Sequence, residues 1–495
     1  MKSSDNIKGF FKSTFIYGLL GSARSLFEFF LLPIYARFIT PAEFGMLDIL
    51  LLFTMIGGVA AMMELGNAVF RFYFDSHSIR YKKSVITTAI FAMFINGLMI
   101  FGIFVFLSRY LSNTIFGSVG HGYLFIMAGA YIFLNTMITI PLNLLRVKNQ
   151  PTKFAAVSCA QIAVSLTGIG LFVVIMKWGI AGVLAAKIIS TLPALITCFY
   201  FVREDIGLIF DTKLLKSMLR YSIPLIPAGI AIWGINGINR VFMLHYLDYN
   251  QIGLFSVASK FVVIITLSVI AFQLAWPHFS LSNMNSPDSA ELFSGIFNIF
   301  TAGGIWLVLG VTLFSEVLIR FAMTPEYIPA AGAVMPLALG MFLYGLFYFF
   351  STGNVFTKTT SRIVPPLVLA ISVNIALNLI ITPRYGFVGA AWVTAFSYLV
   401  MSASMMYSNR KHKFIVFDYG KLGRLFIIAV SMITVSAWLA GMNSAYMLGF
   451  KALIFALYPL IIIFTGIIKL PLKSRTIIDQ QPDNVRKILE KQISN

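Results

Sequence analysis

Long runs of apolar residues, separated by short polar segments, recur along the whole chain. A helix of about 20 such residues crosses the hydrocarbon core of a bilayer, which is roughly 30 Å thick. Glycine, proline, asparagine and charged clusters divide the chain into fourteen predicted spans. Their approximate cores are 13–37, 44–69, 84–107, 121–145, 154–176, 179–202, 217–244, 252–277, 292–315, 327–351, 359–381, 386–408, 424–441 and 446–468. The pattern predicts an all-α, polytopic membrane protein.

Composition and charge agree with this prediction. Hydrophobic residues make up 59% of the 495 residues and charged residues only 11%, whereas soluble proteins have about 25% charged residues. The net charge of +19 is spread over short loops, so it does not indicate nucleic-acid binding. Most of the 37 Lys and Arg residues lie in alternate loops, on the side of the N-terminus. The positive-inside rule therefore predicts that both termini are cytoplasmic. No A-x-A-like cleavage site follows a short apolar core at the N-terminus, so we expect the first helix to be retained.

Two parts of the chain resemble each other at an offset of about 208 residues. The segment RFITPAEFGMLD (37–48) aligns with HYLDYNQIGLFS (245–256), and WGIAGVLAAK (178–187) aligns with YGFVGAAWVT (385–394). We expect an N-terminal lobe of six helices (1–206), a repeated C-terminal lobe of six helices (207–415), and an appendage of two helices with a cytoplasmic tail (416–495). A duplicated six-helix unit is typical of transporters, with the binding site between the halves.

Several classes of function are excluded by motifs and loop lengths. The five histidines are scattered without metal-ligand spacing, and no phosphate-binding glycine loop is present. The predicted loops are short, so the outer face offers no room for a catalytic loop or domain. We therefore expect no enzyme activity, no bound metal and no organic cofactor.

Charged residues within the predicted spans are the candidate functional groups, because a charge in a membrane faces a bundle interior or water and has a partner. They are Arg24, Glu28, Asp48, Glu64, Lys187, Arg240 and Lys260. Arg24 and Glu28 are four residues apart and share one helix face. They either neutralise each other or line a water-filled cavity. Lys187 is interpreted first as a structural charge with a partner and second as a cavity residue.

The repeat does not align one basic residue with another, because Arg24, Arg240 and Lys260 align with Ile232, Leu32 and Leu52. Each was placed separately, so together they indicate a cavity between the lobes with a net positive charge. Such a cavity predicts an anionic substrate, and both Arg and Lys suit phosphate groups.

Several stretches resemble the polysaccharide repeat-unit flippases, also called O-antigen flippases, of the multidrug/oligosaccharidyl-lipid/polysaccharide exporter superfamily. They are LLPIYARFITPAEFGMLDIL (31–50), ELGNAVFRFYFD (64–75), LLRVKNQPTKFAAVS (144–158), YSIPLIPAGIAIWGINGINRVFMLHYL (221–247), QIGLFSVASKF (251–261) and NIALNLIITPRYGFVGAAWVTAFSYL (374–399). The chain departs from many of these relatives in having Asn239-Arg240 where they have Asp-Arg.

The resemblance implies two six-helix lobes arranged in a V, with two further helices that could form a groove for a lipid tail. It implies that the protein translocates undecaprenyl-diphosphate-linked oligosaccharides across the bacterial inner membrane. This translocation is a step in polysaccharide and lipopolysaccharide biosynthesis. We expect Arg24, Arg240 and Lys260 to hold the diphosphate. Na⁺ or H⁺ is the expected coupling ion, with Glu28, Glu64 and Asp48 as candidate sites. Expected partners are membrane lipids, a polysaccharide polymerase and a chain-length regulator.

Two other functions remain open at this point. A cation-coupled multidrug exporter of the same superfamily would favour acidic residues in its cavity. A non-transporting membrane component of polysaccharide assembly would have no reason to bear the energetic cost of intramembrane charges.

Overall fold

The computed structural model describes residues 29–148, 150–207, 209–283, 289–356, 360–409, 419–438 and 444–464, and every regular element in these ranges is a helix. The helices of the first half are α1 (Leu32–Phe38), α2 (Pro41–Met62), α3 (Leu65–Phe72), α4 (Ile79–Phe116), α5 (Gly122–Val147), α6 (Pro151–Ile169), α7 (Gly179–Val202) and α8 (Thr212–Ser222). A π-helical stretch, Gly170–Ile175, continues α6.

The later helices are α9 (Ile226–Tyr246), α10 (Tyr249–Phe261), α11 (Val263–Asn283), α12 (Ser289–Ala322), α13 (Ala331–Phe356), α14 (Val364–Asn409), α15 (Tyr419–Trp438) and α16 (Ser444–Phe464). Many large apolar side chains point outward, as lipid-facing residues do, and Phe106 and Phe321 are 87% and 90% exposed. The prediction of a multi-pass helical membrane protein is confirmed.

Within the described ranges, eight helices are long and apolar enough to cross a membrane, or nine if the bent pair α10–α11 forms one span. The helix α14 has 46 residues and would be about 69 Å long if it were straight, twice the thickness of a bilayer core. Non-helical dihedral angles at Gly386 (φ 62°, ψ −150°) interrupt it between two predicted spans. The total of fourteen is not confirmed, because the first predicted span begins outside the described residues.

Helix starts at equivalent positions of the two repeated segments have similar local structure. Thr40 caps α2 in a reciprocal capping box with Glu43, and Asp248 caps α10 by accepting from the Gln251 amide. Both Gly179 and Gly386, which the repeat aligns, have positive φ angles of 54° and 62°. The division into lobes at 206 and 415 stays a prediction.

The helices α2 and α10 cross in direct backbone contact at two aligned glycines. A Cβ atom on Gly45 would overlap the carbonyl oxygen of Tyr249, and a Cβ atom on Gly253 would overlap that of Pro41. The contact is therefore reciprocal between segments 208 residues apart. Only glycine allows backbones to approach so closely, as in small-residue helix contacts in membranes.

Further contacts join the chain at the end of the bundle where α2 and α10 begin. The buried Tyr327 hydroxyl donates to the Ile39 carbonyl oxygen at 2.7 Å. The Tyr249 hydroxyl donates to the Ile115 carbonyl oxygen. These bonds and the glycine crossing hold distant segments together at this end of the bundle.

The chain forms two compact units. One comprises residues within 1–284 and 314–412, and the other residues within 285–313 and 413–495. In the second unit, the Trp306 ring stacks on Phe455 with centroids 4.6 Å apart, and its Nε1 donates to the Phe455 carbonyl oxygen at 3.0 Å. The described candidate residues Asp48, Glu64, Lys187, Arg240 and Lys260 lie in the first unit.

Candidate functional site

A buried ion pair joins the two repeated segments. Nε of Arg240, on α9, donates to Oδ2 of Asp48, on α2, at 2.6 Å. Asp48 is only 7% exposed, and the Arg240 guanidinium lies 5.6 Å from the centre of the Phe255 ring. Removing one partner of such a pair typically costs about 3–5 kcal/mol, because the other charge stays buried without compensation. The structure thus brings together Arg240, which is predicted to bind the diphosphate, and Asp48, which is predicted to bind the coupling ion.

One cavity connects this pair with two lysines. Asp48, Lys187 and Lys260 line it from α2, α7 and α10, together with Tyr35 and Ser256. Its empty volume is about 390 Å³. Among the described residues that line it or bond to its lining, three are cationic and Asp48 is the single carboxylate. The described lining and its bonded partner therefore carry an excess of positive charge, and Lys187 belongs to this lining as well as Lys260.

Lys187 also borders a second cavity, with an empty volume of about 550 Å³. Its ammonium lies 6.0 Å from the centre of the Tyr131 ring, a geometry that stabilises a cation. One turn further along α7, the Thr191 hydroxyl accepts from the Gln161 amide at 3.3 Å. Lys187 and Tyr35 line both cavities, so these two side chains stand between them.

Glu64 does not line the basic cavity. It follows the end of α2, sixteen residues beyond Asp48, which corresponds to about 24 Å along a helix. Glu64 and Met63 have positive φ angles of 54° and 47° and interrupt the path from α2 to α3. The Glu64 carboxylate accepts from the Asn67 amide at 2.7 Å. Arg24 and Glu28 lie outside the described residues.

A buried network of neutral side chains surrounds Asn239. The Asn239 amide donates to the Thr394 hydroxyl at 2.5 Å and its carbonyl accepts from Asn378 at 2.7 Å. The Thr382 hydroxyl donates to Asn378 Oδ1 at 2.7 Å, and the Asn374 amide donates to the Ser397 hydroxyl at 3.0 Å. These side chains satisfy one another's hydrogen bonds in a buried, neutral arrangement.

Sequence reasoning missed this network. Its signal was present, since Asn374, Asn378 and Thr382 are spaced by four residues on one face of α14. These residues are uncharged, so they do not stand out as intramembrane charges do. No group of three or more His, Cys, Asp or Glu in the part of the chain that the structure describes could hold a metal ion.

A family model described as "polysaccharide biosynthesis protein" matches residues 34–332, more than half of the chain. The chain belongs to the polysaccharide biosynthesis protein family. This match includes α2, α7, α9 and α10, the helices that carry Asp48, Lys187, Arg240 and Lys260.

Solved structures share the fold of this polysaccharide biosynthesis protein. The lipid II flippase MurJ, in an inward closed conformation, matches with a TM-score of 0.71 and 15% identity, over 93% of this chain and 99% of that one. An inward-facing MATE multidrug transporter of the MOP superfamily matches with a TM-score of 0.60 and 13% identity, over 79% and 94%. One of these structures is named a flippase and the other a transporter, and at 15% and 13% identity they show that this chain shares their fold.

A curated relative is an uncharacterized membrane protein of Methanocaldococcus jannaschii. It is 24% identical over 222 residues, which cover 41% of this chain and 40% of that protein. The chain therefore spans about two fifths of the length of the curated relative that it matches.

Proposed function

We infer that this protein is a flippase for undecaprenyl-diphosphate-linked oligosaccharide repeat units. It moves them from the cytoplasmic to the outer leaflet of a bacterial inner membrane by alternating access. The observation that carries the proposal is the cavity lined by Lys187, Lys260 and Asp48, whose carboxylate is paired with Arg240. The family match and the fold of the lipid II flippase MurJ support it.

The diphosphate is the part of the substrate that the cavity would recognise. Lys260 and Lys187 offer ammonium groups, and Arg240 offers a guanidinium already oriented by Asp48. Arg24 is the fourth proposed cation. The prenyl tail stays in the lipid while the glycan passes through the bundle. An inside-negative membrane potential favours outward movement of the diphosphate by about 2.3 kcal/mol per charge per 100 mV.

Alternating access requires the bundle to open at the end where α2 and α10 begin. With both termini in the cytoplasm, as the charge pattern predicts, that end faces outward. The Gly45–Gly253 crossing and the Asp48–Arg240 pair then form the outer closure. Na⁺ or H⁺ resets the cycle, and Asp48 is a proposed coupling group. Glu28 and Glu64 are the other proposed coupling groups. A polymerase and a chain-length regulator are the proposed partners that receive the product.

The test is a flipping assay in vesicles with the full chain and undecaprenyl diphosphate linked to a fluorescent sugar. A membrane-impermeant quencher added outside reports the fraction of label in the outer leaflet. We expect Lys260→Gln to slow the exchange at least tenfold. The matched control is Lys213→Gln, since Lys213 is an exposed residue of α8. The proposal would be overturned if Lys260→Gln and Lys213→Gln exchanged the label at equal rates. It would also be overturned if vesicles without the protein exchanged the label as fast as vesicles that contain it.

A multidrug exporter of the same superfamily is the second candidate, since MATE transporters share the fold. The excess of positive charge among the described residues of the cavity disfavours it, because cationic drugs would be repelled. Accumulation of a cationic dye driven by this protein, together with no movement of the lipid-linked sugar, would favour it over the flippase.

A further inference from the structure

A third cavity is larger than the two described above and differs from the basic one in its lining. Its empty volume is about 1,020 Å³, and α10, α11, α13 and α14 line it. Among the described lining residues none is charged. Six carry hydroxyl, phenol or amide groups: Ser259, Thr266, Gln273, Tyr344, Thr394 and Tyr398. The remaining lining is aliphatic, so the cavity suits an uncharged ligand with both polar and apolar faces.

The hydroxyl groups present hydrogen-bond acceptors to the cavity. The Ser259 hydroxyl donates to the Phe255 carbonyl oxygen at 2.9 Å, and the Thr266 hydroxyl donates to that of Val262 at 3.2 Å. A hydroxyl has one hydrogen but two acceptor lone pairs, so each of these oxygens can still accept a hydrogen bond. A ligand rich in O–H and N–H donors would complement them.

Aromatic rings form another wall. The Tyr344 and Tyr398 rings lie 5.2 Å apart at 45°, and the Tyr344 and Tyr348 hydroxyls are hydrogen-bonded at 2.7 Å. Flat rings with polar edges suit the C–H face of a sugar ring, whose hydroxyl groups then reach the polar lining. A ligand that fits this cavity has hydrogen-bond donors at its edges and one apolar face. A neutral sugar meets this description better than a drug cation or an acyl chain does.

Neighbouring residues in the last turn of α10 line the two cavities. Ser256 and Lys260 line the basic cavity, whereas Ser259 lines the neutral one. Lys260 and Ser259 are consecutive, with Cα atoms about 3.8 Å apart. The span bends by 52° immediately afterwards, between α10 and α11. A broken helix at membrane depth is tolerated where it is buried in protein or lines a cavity.

We propose that this neutral cavity is a sugar subsite, which holds the sugar attached to the diphosphate while Lys260 holds the diphosphate. The inference rests on the proposed function. It adds that the chain recognises a neutral sugar through Gln273, Tyr344 and Tyr398, and not only the lipid diphosphate. One ligand would span both cavities past the last turn of α10, where residues of the two linings are adjacent in sequence.

Binding measurements on the purified full chain in nanodiscs test this. The probes are undecaprenyl diphosphate alone and undecaprenyl diphosphate bearing glucose, galactose or N-acetylglucosamine. At least one sugar should raise the affinity about tenfold over the bare lipid. Gln273→Leu and Tyr398→Phe should each remove most of that gain, because a buried polar partner is left unpaired. Both should leave the affinity for the bare lipid unchanged.

Tyr407→Phe is the matched control, since Tyr407 is an exposed residue of α14. Thermal unfolding of each variant establishes that it is folded, and Thr266→Val replaces any variant that is not. The inference is overturned if no sugar raises the affinity, or if the gain survives the cavity variants. Failure of the proposed function looks different: the bare lipid does not bind, or Lys260→Gln binds it as well as the parent protein does.

Discussion

Gly45 and Gly253 face each other across the α2–α10 crossing, each beneath the first backbone carbonyl of the opposite helix. The two residues are 208 apart, as are the first residues of the two helices, Pro41 and Tyr249. The contact lies one turn before Asp48 on α2. Any movement that separates Asp48 from Arg240 by parting α2 from the C-terminal segment must also part this crossing.

Gly45→Ala should destabilise the protein, because its methyl group would overlap the Tyr249 carbonyl oxygen. Overpacking of this kind costs about 1–3 kcal/mol. Thermal unfolding of the purified protein measures the effect. Gly58→Ala is the control on the same helix, since a Cβ atom there meets nothing within 4 Å. A loss of stability as large in Gly58→Ala would contradict a specific role for the crossing.

Asp48→Asn should destabilise the protein by about 3–5 kcal/mol, because it removes the carboxylate that pairs with the largely buried Arg240. The double variant Asp48→Asn/Arg240→Gln should recover much of this stability. Denaturant unfolding of the two single variants and the double variant gives the coupling free energy of the pair. A coupling energy near zero would show that the 2.6 Å contact contributes little.

A transport measurement distinguishes a substrate-binding role of the Asp48–Arg240 pair from a structural role. If Arg240 binds the diphosphate, the double variant should stay slow in the flipping assay even where its stability is recovered. Recovery of both properties together would assign the pair a purely structural role.

Asn378→Leu should destabilise the protein, because it removes partners of Asn239, Asn374 and Thr382 at once. Each buried polar group left unpaired costs about 1–3 kcal/mol. The free energy of unfolding of this variant should be well below that of Asn113→Leu, since Asn113 is an exposed residue of α4. Similar stability of the two variants would mean that the buried amide network is dispensable.

Glu64→Gly should raise stability by about 1 kcal/mol, because a non-glycine residue in the left-handed region is strained by roughly 1–2 kcal/mol. Loss of the Asn67 hydrogen bond offsets part of this gain. Thermal unfolding tests this prediction, and Glu64→Gln, which keeps the backbone strain, is the comparison.

The same two variants test the role of Glu64 in ion coupling. In the flipping assay with an imposed ion gradient, loss of coupling in both variants would support Glu64 as a coupling-ion site.

The helical spans were readable from local sequence. Apolar runs of membrane length predicted the helices that the structure contains, and the aligned glycines marked the starts of α7 and of the second part of α14. Positive φ at Gly179 and Gly386 follows from their lack of a side chain. The interruption at Met63 and Glu64 was not readable, because neither residue type favours a left-handed conformation.

The candidate charges were also found from sequence, since an ionisable residue inside a membrane span is conspicuous. Their partners were not. Local spacing reveals neighbours three or four residues apart, whereas Asp48 and Arg240 are 192 residues apart. Asp48 was therefore grouped with the coupling-ion candidates and Arg240 with the diphosphate ligands, although one hydrogen bond joins them.

The sequence by itself determined that this is a helical membrane protein and which few of its residues bear charge within the bilayer. Hydrophobicity and charge are properties of each residue and act wherever the chain goes. Only the tertiary structure decided that Lys187 and Lys260 share a cavity with Asp48, whose carboxylate is paired with Arg240, and that neighbouring residues line a neutral cavity. These relationships depend on how distant helices cross, and close backbone packing at Gly45 and Gly253 sets one of those crossings.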